Sequence, residues 1–118
     1  MSPVADPTTE WYTTRQQSAV TARPRRGVVL HHGATTSMDQ IVQMETSGSR
    51  QVSSNRVVKD VRCARVVSDD PNVRAWSLSS PYWDSVLSSV ECANESAAGW
   101  TISATSAETL ARMVAFWA

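Results

Sequence analysis

The run Gly27-Val28-Val29-Leu30-His31 constrains this chain more than any other segment. It is short, apolar and β-branched, and it opens on a glycine. That is the pattern of a strand in the interior of a sheet covered on both faces. A second histidine, His32, and the loop Gly33-Ala34-Thr35-Thr36 follow directly. Neighbours on a strand point to opposite faces, so His31 and His32 are not expected to serve one site together. His32 belongs to the loop or behind the site.

Other elements arrange themselves around this strand. Thr36 or Ser37 can cap a helix over about Met38 to Thr46, with Ile41, Val42 and Met44 as apolar contacts and Ser47-Gly48-Ser49 as its end. Val52 to Lys59 predicts a strand, Asp60 a turn, and Cys63 to Val67 the hairpin return. Residues 68–72 are a loop by composition, and 74–84 are irregular and aromatic. Leu87 to Ala93 predicts a third main strand. Thr105-x-x-Glu108 predicts a capping box for a closing helix with Leu110, Ala111, Met113, Val114 and Trp117 on one face. That helix meets Ala118 without a cap, so the last elements of the domain are expected to be missing. Residues 1–26 are rich in Pro, Thr, Ser and Gln, with Pro3, Pro7 and Pro24 as breakers and Trp11 and Tyr12 able to pin part of the segment. They read as a linker or extension. The expected fold is α/β (α+β): a central mixed β-sheet flanked by helices, in one domain over residues 27–118.

Eleven basic and eleven acidic residues cancel, which argues against a general nucleic-acid binder. The cluster Arg23, Arg25 and Arg26 and the alternating Arg62 and Arg65 read as solvated flanks and an exposed face. No apolar run reaches the length of a membrane span, and residues 1–26 lack the apolar core of a signal peptide, so a product made in the cytoplasm is expected. Cys63 and Cys92 form no Cys-x-x-Cys and are expected as reduced, buried, strand-borne thiols.

Chemistry is suggested by the strand-end histidine and by Glu91, a carboxylate inside the apolar run Val90-Glu91-Cys92-Ala93. Burying a carboxylate is costly, so it comes with a partner or a task. Trp76 and Trp83 have two readings of equal standing, as walls of a groove for sugar faces or as core and surface aromatics.

The segments VVLHHGATTS, VSSNRVVKD, RAWSLSSPYWD, SVECAN and the WTIS-led final helix run in order over about residues 27–118. Together they resemble the N-acetylmuramoyl-L-alanine amidase family, which includes phage lysozyme-type amidases, anhydro-muropeptide amidases and peptidoglycan-recognition proteins. The likeness is greatest to amidase modules of actinobacteriophage endolysins. The resemblance implies an amidase-like fold and zinc-dependent hydrolysis of the amide between the lactyl group of muramic acid and L-alanine in bacterial peptidoglycan. It also implies a protein made in the host cytoplasm that acts on the cell wall. His31 matches the family's first zinc ligand; a second His and a Cys or Asp usually follow beyond the closing helix. Glu91 matches the acidic residue that acts as base or orients water. Ser54 falls where a catalytic tyrosine is common, and Ser54, Asn55 and Asn94 are expected to bind substrate along with the two tryptophans. Zinc with three protein ligands keeps a position open for water and lowers its pKa, and a nearby carboxylate can then move the proton to the leaving amine. Arg56 stands where the family usually has an aromatic or apolar residue, and Val61 where glycine is usual. Some members bind peptidoglycan without cutting it, which gives the alternative of a non-catalytic binding module. A third reading is a small α/β protein in which His31 and Glu91 are structural.

Overall fold

The computed structural model describes residues 4–97, 99 and 101–118; Pro3 and Trp100, which the sequence reading used, lie outside them. Along the described chain run β1 (Glu10–Trp11), β2 (Gln17–Ala19), β3 (Gly27–His32), α1 (Met38–Ser47), β4 (Arg56–Lys59), β5 (Arg62–Arg65), β6 (Val73–Ala75), α2 (Pro81–Val86), β7 (Leu87–Cys92) and α3 (Ala104–Trp117). One mixed five-stranded sheet has the order β1-β5-β4-β7-β3, and β2 and β6 form a separate antiparallel pair. In the main sheet β4, β7 and β3 are mutually parallel, β5 returns antiparallel to β4, and β1 lies parallel to β5.

Alternation along the strands sorts the side chains onto two faces. Val57 and Ala64 meet Met38, Ile41 and Val42 of α1 on one face. Val58, Cys63, Val90 and Cys92 meet Leu110 and Met113 of α3 on the other. Both cysteines are free and buried, and burial pushes each thiol up to about 11. Helix α1 starts at Ser37, whose hydroxyl accepts from the Gln40 N–H. Helix α3 starts at Ser103, which accepts from the Ser106 N–H. The expected capping box is therefore displaced: Thr105 lies inside the helix, and Ser103 is the cap because its side chain also reaches Asp60. The face that α3 buries is Ser106, Thr109, Leu110 and Met113, while Val114 stays 38 % exposed.

Several expectations change in the structure. The run at β3 is an edge strand, not an interior one; Leu30 is 57 % exposed, and β7 takes the place beside it. An apolar, β-branched composition reports strand preference but not position in the sheet. The segment expected as a linker carries β1 and β2. Its backbone bonds β5 through Thr9 and Tyr12, because a stretch with few apolar residues can still dock by completing a ladder. Residues 52–55 precede β4 as irregular chain, with Ser53, Ser54 and Asn55 buried. The stretch 74–84 holds β6 and α2, the latter capped by Ser80 and opened by Pro81 at its first turn. The left-handed residue of the β4–β5 turn is Asp60 (φ 53), not Val61, and aspartate tolerates that conformation better than a β-branched residue. Among the described residues no helix is long and apolar enough to cross a membrane.

Candidate functional site

Parallel pairing puts His31 of β3 directly opposite Glu91 of β7, so both side chains leave the sheet on the α1 side. The His31 Nδ1 stands 3.5 Å from Glu91 Oε2, with the two side chains 31 % and 16 % exposed. Burial raises the Glu91 pKa; the charge and hydrogen bonding of His31, and the charges of His32 and Arg50, pull the other way. A carboxyl group held back from ionising beside a half-open imidazole is an acid–base pair at the carboxyl-side rim of parallel strands, where open α/β sheets place ligands. Gly33 lets the chain close over this rim. Its N–H donates to the Cys92 carbonyl at 2.7 Å, and a Cβ there would come within 2.7 Å of Ile41 Cδ1 and 3.1 Å of that same carbonyl oxygen.

A second carboxyl group lies behind the first. Glu45, on the buried face of α1, is 1 % exposed. Its Oε1 accepts from the Ser54 N–H at 2.6 Å and from the Ser54 hydroxyl at 2.7 Å. Burial pushes its pKa up to about 7, the Ser54 bonds oppose this, and the charge of Glu91 adds to it. Sequence reasoning missed Glu45. The signal was present: Met38, Ile41, Val42 and Glu45 fall at i, i+3, i+4 and i+7 of one helix, so an acid occupies the fourth place of an apolar stripe.

The structure separates the remaining expected site residues. Ser54 is buried and joined to the site through Glu45. Asn55 is 1 % exposed and ties three segments: its Oδ1 accepts from the Ser89 N–H at 2.9 Å, and its Nδ2 donates to the Ser68 carbonyl at 3.2 Å. That carboxamide is buried and bonded within the fold. Asn94 remains at the rim. It lines a crevice of about 340 Å³ with Thr35, Thr36 and Ser96. Its N–H donates to the Thr35 carbonyl at 2.9 Å, and its buried Oδ1 has no hydrogen-bond partner among the described residues. Trp76 is fastened to the small sheet, Nε1 to the Ser18 hydroxyl at 2.7 Å. Trp83 is 52 % exposed on α2 and packs edge-on against Tyr82 with ring centres 5.0 Å apart. Helix α2 leads into the amino end of β7, so Trp83 sits at the opposite rim from Glu91 and forms no wall of this site. Asp69 and Asp84 are both held by partners. Asp69 pairs with Arg56, and Asp84 with Arg74, Ser77 and the Leu78 N–H.

A zinc site of the implied kind needs three protein ligands. Among the described residues no group of three or more His, Cys, Asp or Glu could share an ion. His31 and Glu91 converge as two donors, and both cysteines belong to the core on the α3 side. The described residues do not fit a three-ligand zinc. Compared with family models, with curated proteins and with solved structures, the chain shows no match.

Proposed function

We propose that this chain is a peptidoglycan-directed module of the N-acetylmuramoyl-L-alanine amidase type, working at the His31–Glu91 pair. One observation carries the reading. The two residues that the family likeness nominates, sixty positions apart in sequence, are register partners on adjacent parallel strands with their polar atoms 3.5 Å apart. The crevice at Asn94, on the same rim, offers a place for an amide of the glycan or its peptide stem. Of the two activities such a module can have, binding without cutting is the one the donor set favours, because two ligands hold zinc far less well than three. Hydrolysis is the second reading. It is favoured by Glu91 itself, whose raised pKa and open neighbour suit a group that takes and returns a proton.

The test uses purified bacterial cell walls with the intact chain, with and without added zinc. Co-sedimentation reads binding, and newly exposed L-alanine amino groups read cleavage. Binding without release is expected, weakened about tenfold by Glu91→Gln, the worth of one charge-assisted hydrogen bond. Zinc-dependent release that Glu91→Gln abolishes moves the assignment to hydrolase. Neither retention nor release ends the peptidoglycan reading.

A further inference from the structure

A polar face of α1 runs beside the candidate site and ends near Arg50. Gln40, Gln43, Met44 and Ser47 fall at i, i+3, i+4 and i+7 and so share one side of the helix, next to the side that buries Ile41, Val42 and Glu45. With Arg50 they line a hollow of about 390 Å³ whose walls hold no Asp or Glu. Two observations join this hollow to the site. Gln40 Oε1 accepts from the Thr35 hydroxyl at 2.9 Å, and Thr35 also lines the crevice at Asn94. The charge of Arg50 is among those that favour the ionised form of Glu91.

An arginine just past a helix ordinarily serves the last carbonyls of that helix. Here those carbonyls have other donors. The Val42 and Gln43 oxygens accept from the Thr46 and Ser47 hydroxyls at 2.8 and 3.1 Å. The Met44 oxygen accepts from the Gly48 N–H at 3.2 Å and from Gln16 Nε2 at 2.8 Å, and the Glu45 oxygen from the Thr14 hydroxyl at 2.6 Å. The acids of this region are engaged as well. Asp39 pairs with Arg62, Glu45 is buried against Ser54, and Glu91 stands beside His31. The Arg50 side chain is exposed and makes no hydrogen bond or ion pair with the described residues. A guanidinium left free by both helix and acids, on a polar hollow next to an acid–base pair, suits a planar anion.

We propose that Arg50 is a specificity residue that receives a free carboxylate of the peptide stem, with the stem lying along Gln40, Gln43 and Ser47 of α1. The assignment rests on the peptidoglycan reading of the His31–Glu91 pair and adds to it the charge of the ligand. Within that polymer the sugar rings and their acetamido groups are neutral, whereas the stem carries carboxylates. A carboxylate can take two parallel N–H bonds from the guanidinium fork. The carboxamides of Gln40 and Gln43 offer both donors and acceptors to peptide groups.

Isothermal titration of the intact chain compares N-acetylmuramoyl-L-alanyl-D-glutamate with its diamide, which keeps the sugar and the peptide and has no carboxylate. The diacid is expected to bind about tenfold tighter, the worth of one charge-assisted hydrogen bond. That preference should shrink as salt is raised, because Arg50 is exposed. Arg50→Gln should erase the preference, leave the affinity for the diamide as it was and leave the circular dichroism unchanged. Inorganic phosphate at equal concentration should not displace the diacid, since it lacks the sugar and peptide that the rest of the site holds. Equal affinity for the two ligands, a preference that survives Arg50→Gln, or displacement by phosphate overturns the Arg50 assignment and leaves the peptidoglycan reading standing. Binding of neither ligand overturns it too, and retention on cell walls then tells whether the peptidoglycan reading falls with it.

Discussion

Each face of the five-stranded sheet buries a long ionisable side chain almost completely: Arg56 on the α3 side and Glu45 on the α1 side, both 1 % exposed. Their surroundings differ in kind. Arg56 has its donors occupied. Its Nε donates to the Thr8 hydroxyl at 3.0 Å, Nη1 to the Asn55 carbonyl at 3.1 Å, and the fork takes both oxygens of Asp69 at 3.0 and 2.8 Å. Glu45 has Ser54 alone on one oxygen, with no arginine or lysine paired to it among the described residues. A buried charge that is fully paired fixes a structure; one left without a counter-ion exchanges its proton instead. The α3 side therefore holds a cation with its counter-ion, and the α1 side, with Glu45 behind Glu91 and His31, holds carboxyl groups whose burial favours the protonated form.

The largest effect tests the cationic half. Arg56→Leu removes a satisfied cation and leaves Asp69 without its ion pair, while the Asn55 carbonyl keeps the Val66 N–H. Losing one member of such a pair costs about 3–5 kcal/mol. Asp69 is 40 % exposed and can rehydrate, so urea unfolding should give the lower end, about 3 kcal/mol. A loss below about 1 kcal/mol would mean that the Arg56 network contributes little and that the two faces do not differ as described.

Glu45→Gln tests the other half and should act with the opposite sign. A folded pKa of about 7 against an ordinary value of 4.5 means the folded chain binds this proton more tightly than the unfolded chain. The stabilisation is therefore complete below the unfolded value and is lost as pH rises through about 7. At 1.36 kcal/mol per unit the full loss is on the order of 3 kcal/mol, an upper bound. Glutamine keeps an acceptor for Ser54 and removes the charge. The variant should match the parent near pH 4 and exceed it at pH 8, read from urea midpoints across that range. Glu91→Gln should weaken the parent's pH dependence, since the charge of Glu91 helps to hold Glu45 up. A parent whose stability is flat between pH 5 and 8 would sink the contrast.

The same contrast shows what the sequence made legible. β3, β7, the β4–β5 hairpin and both long helices follow from apolar patterning. The meeting of His31 and Glu91 follows once two strand-end residues are set side by side. What patterning concealed was position and partnership. β3 has the composition of an interior strand yet lies at the edge, because neighbour order depends on the long connection through α1 and on β7 entering from far along the chain. Residues 53–55 read as strand, but Ser53, Ser54 and Asn55 are buried through side-chain bonds to Gln16, Glu45 and Ser89, which no local period encodes. Glu45 is concealed because the apolar Met44, one position away, competes with it for the buried place after Ile41 and Val42. β1 and β2 escaped because two- and three-residue strands carry no period at all.

The helix caps offer the finest comparison of the two faces. Ser37 opens α1 with one bond, accepting from the Gln40 N–H at 3.2 Å in an exposed setting. Ser103 opens α3 within a network: it accepts from the Ser106 N–H at 3.0 Å and donates to Asp60 at 2.6 Å, while the Ser106 hydroxyl accepts from the Asp60 N–H at 2.7 Å. That network ties the helix start to the left-handed residue of the β4–β5 turn, so losing the cap also loosens the turn. Replacing a serine cap with alanine costs about 0.5–2 kcal/mol. Ser37→Ala should fall at the low end and Ser103→Ala at the high end. Thr105→Ala, at the position where the sequence pattern places the capping box, should cost less than Ser103→Ala, because Thr105 lies inside the helix and its hydroxyl has no part in the cap. Thermal unfolding of the three variants side by side resolves the order. Should Thr105→Ala prove the most damaging, the start of α3 would be two residues later than described, and its tie to Asp60 would not exist.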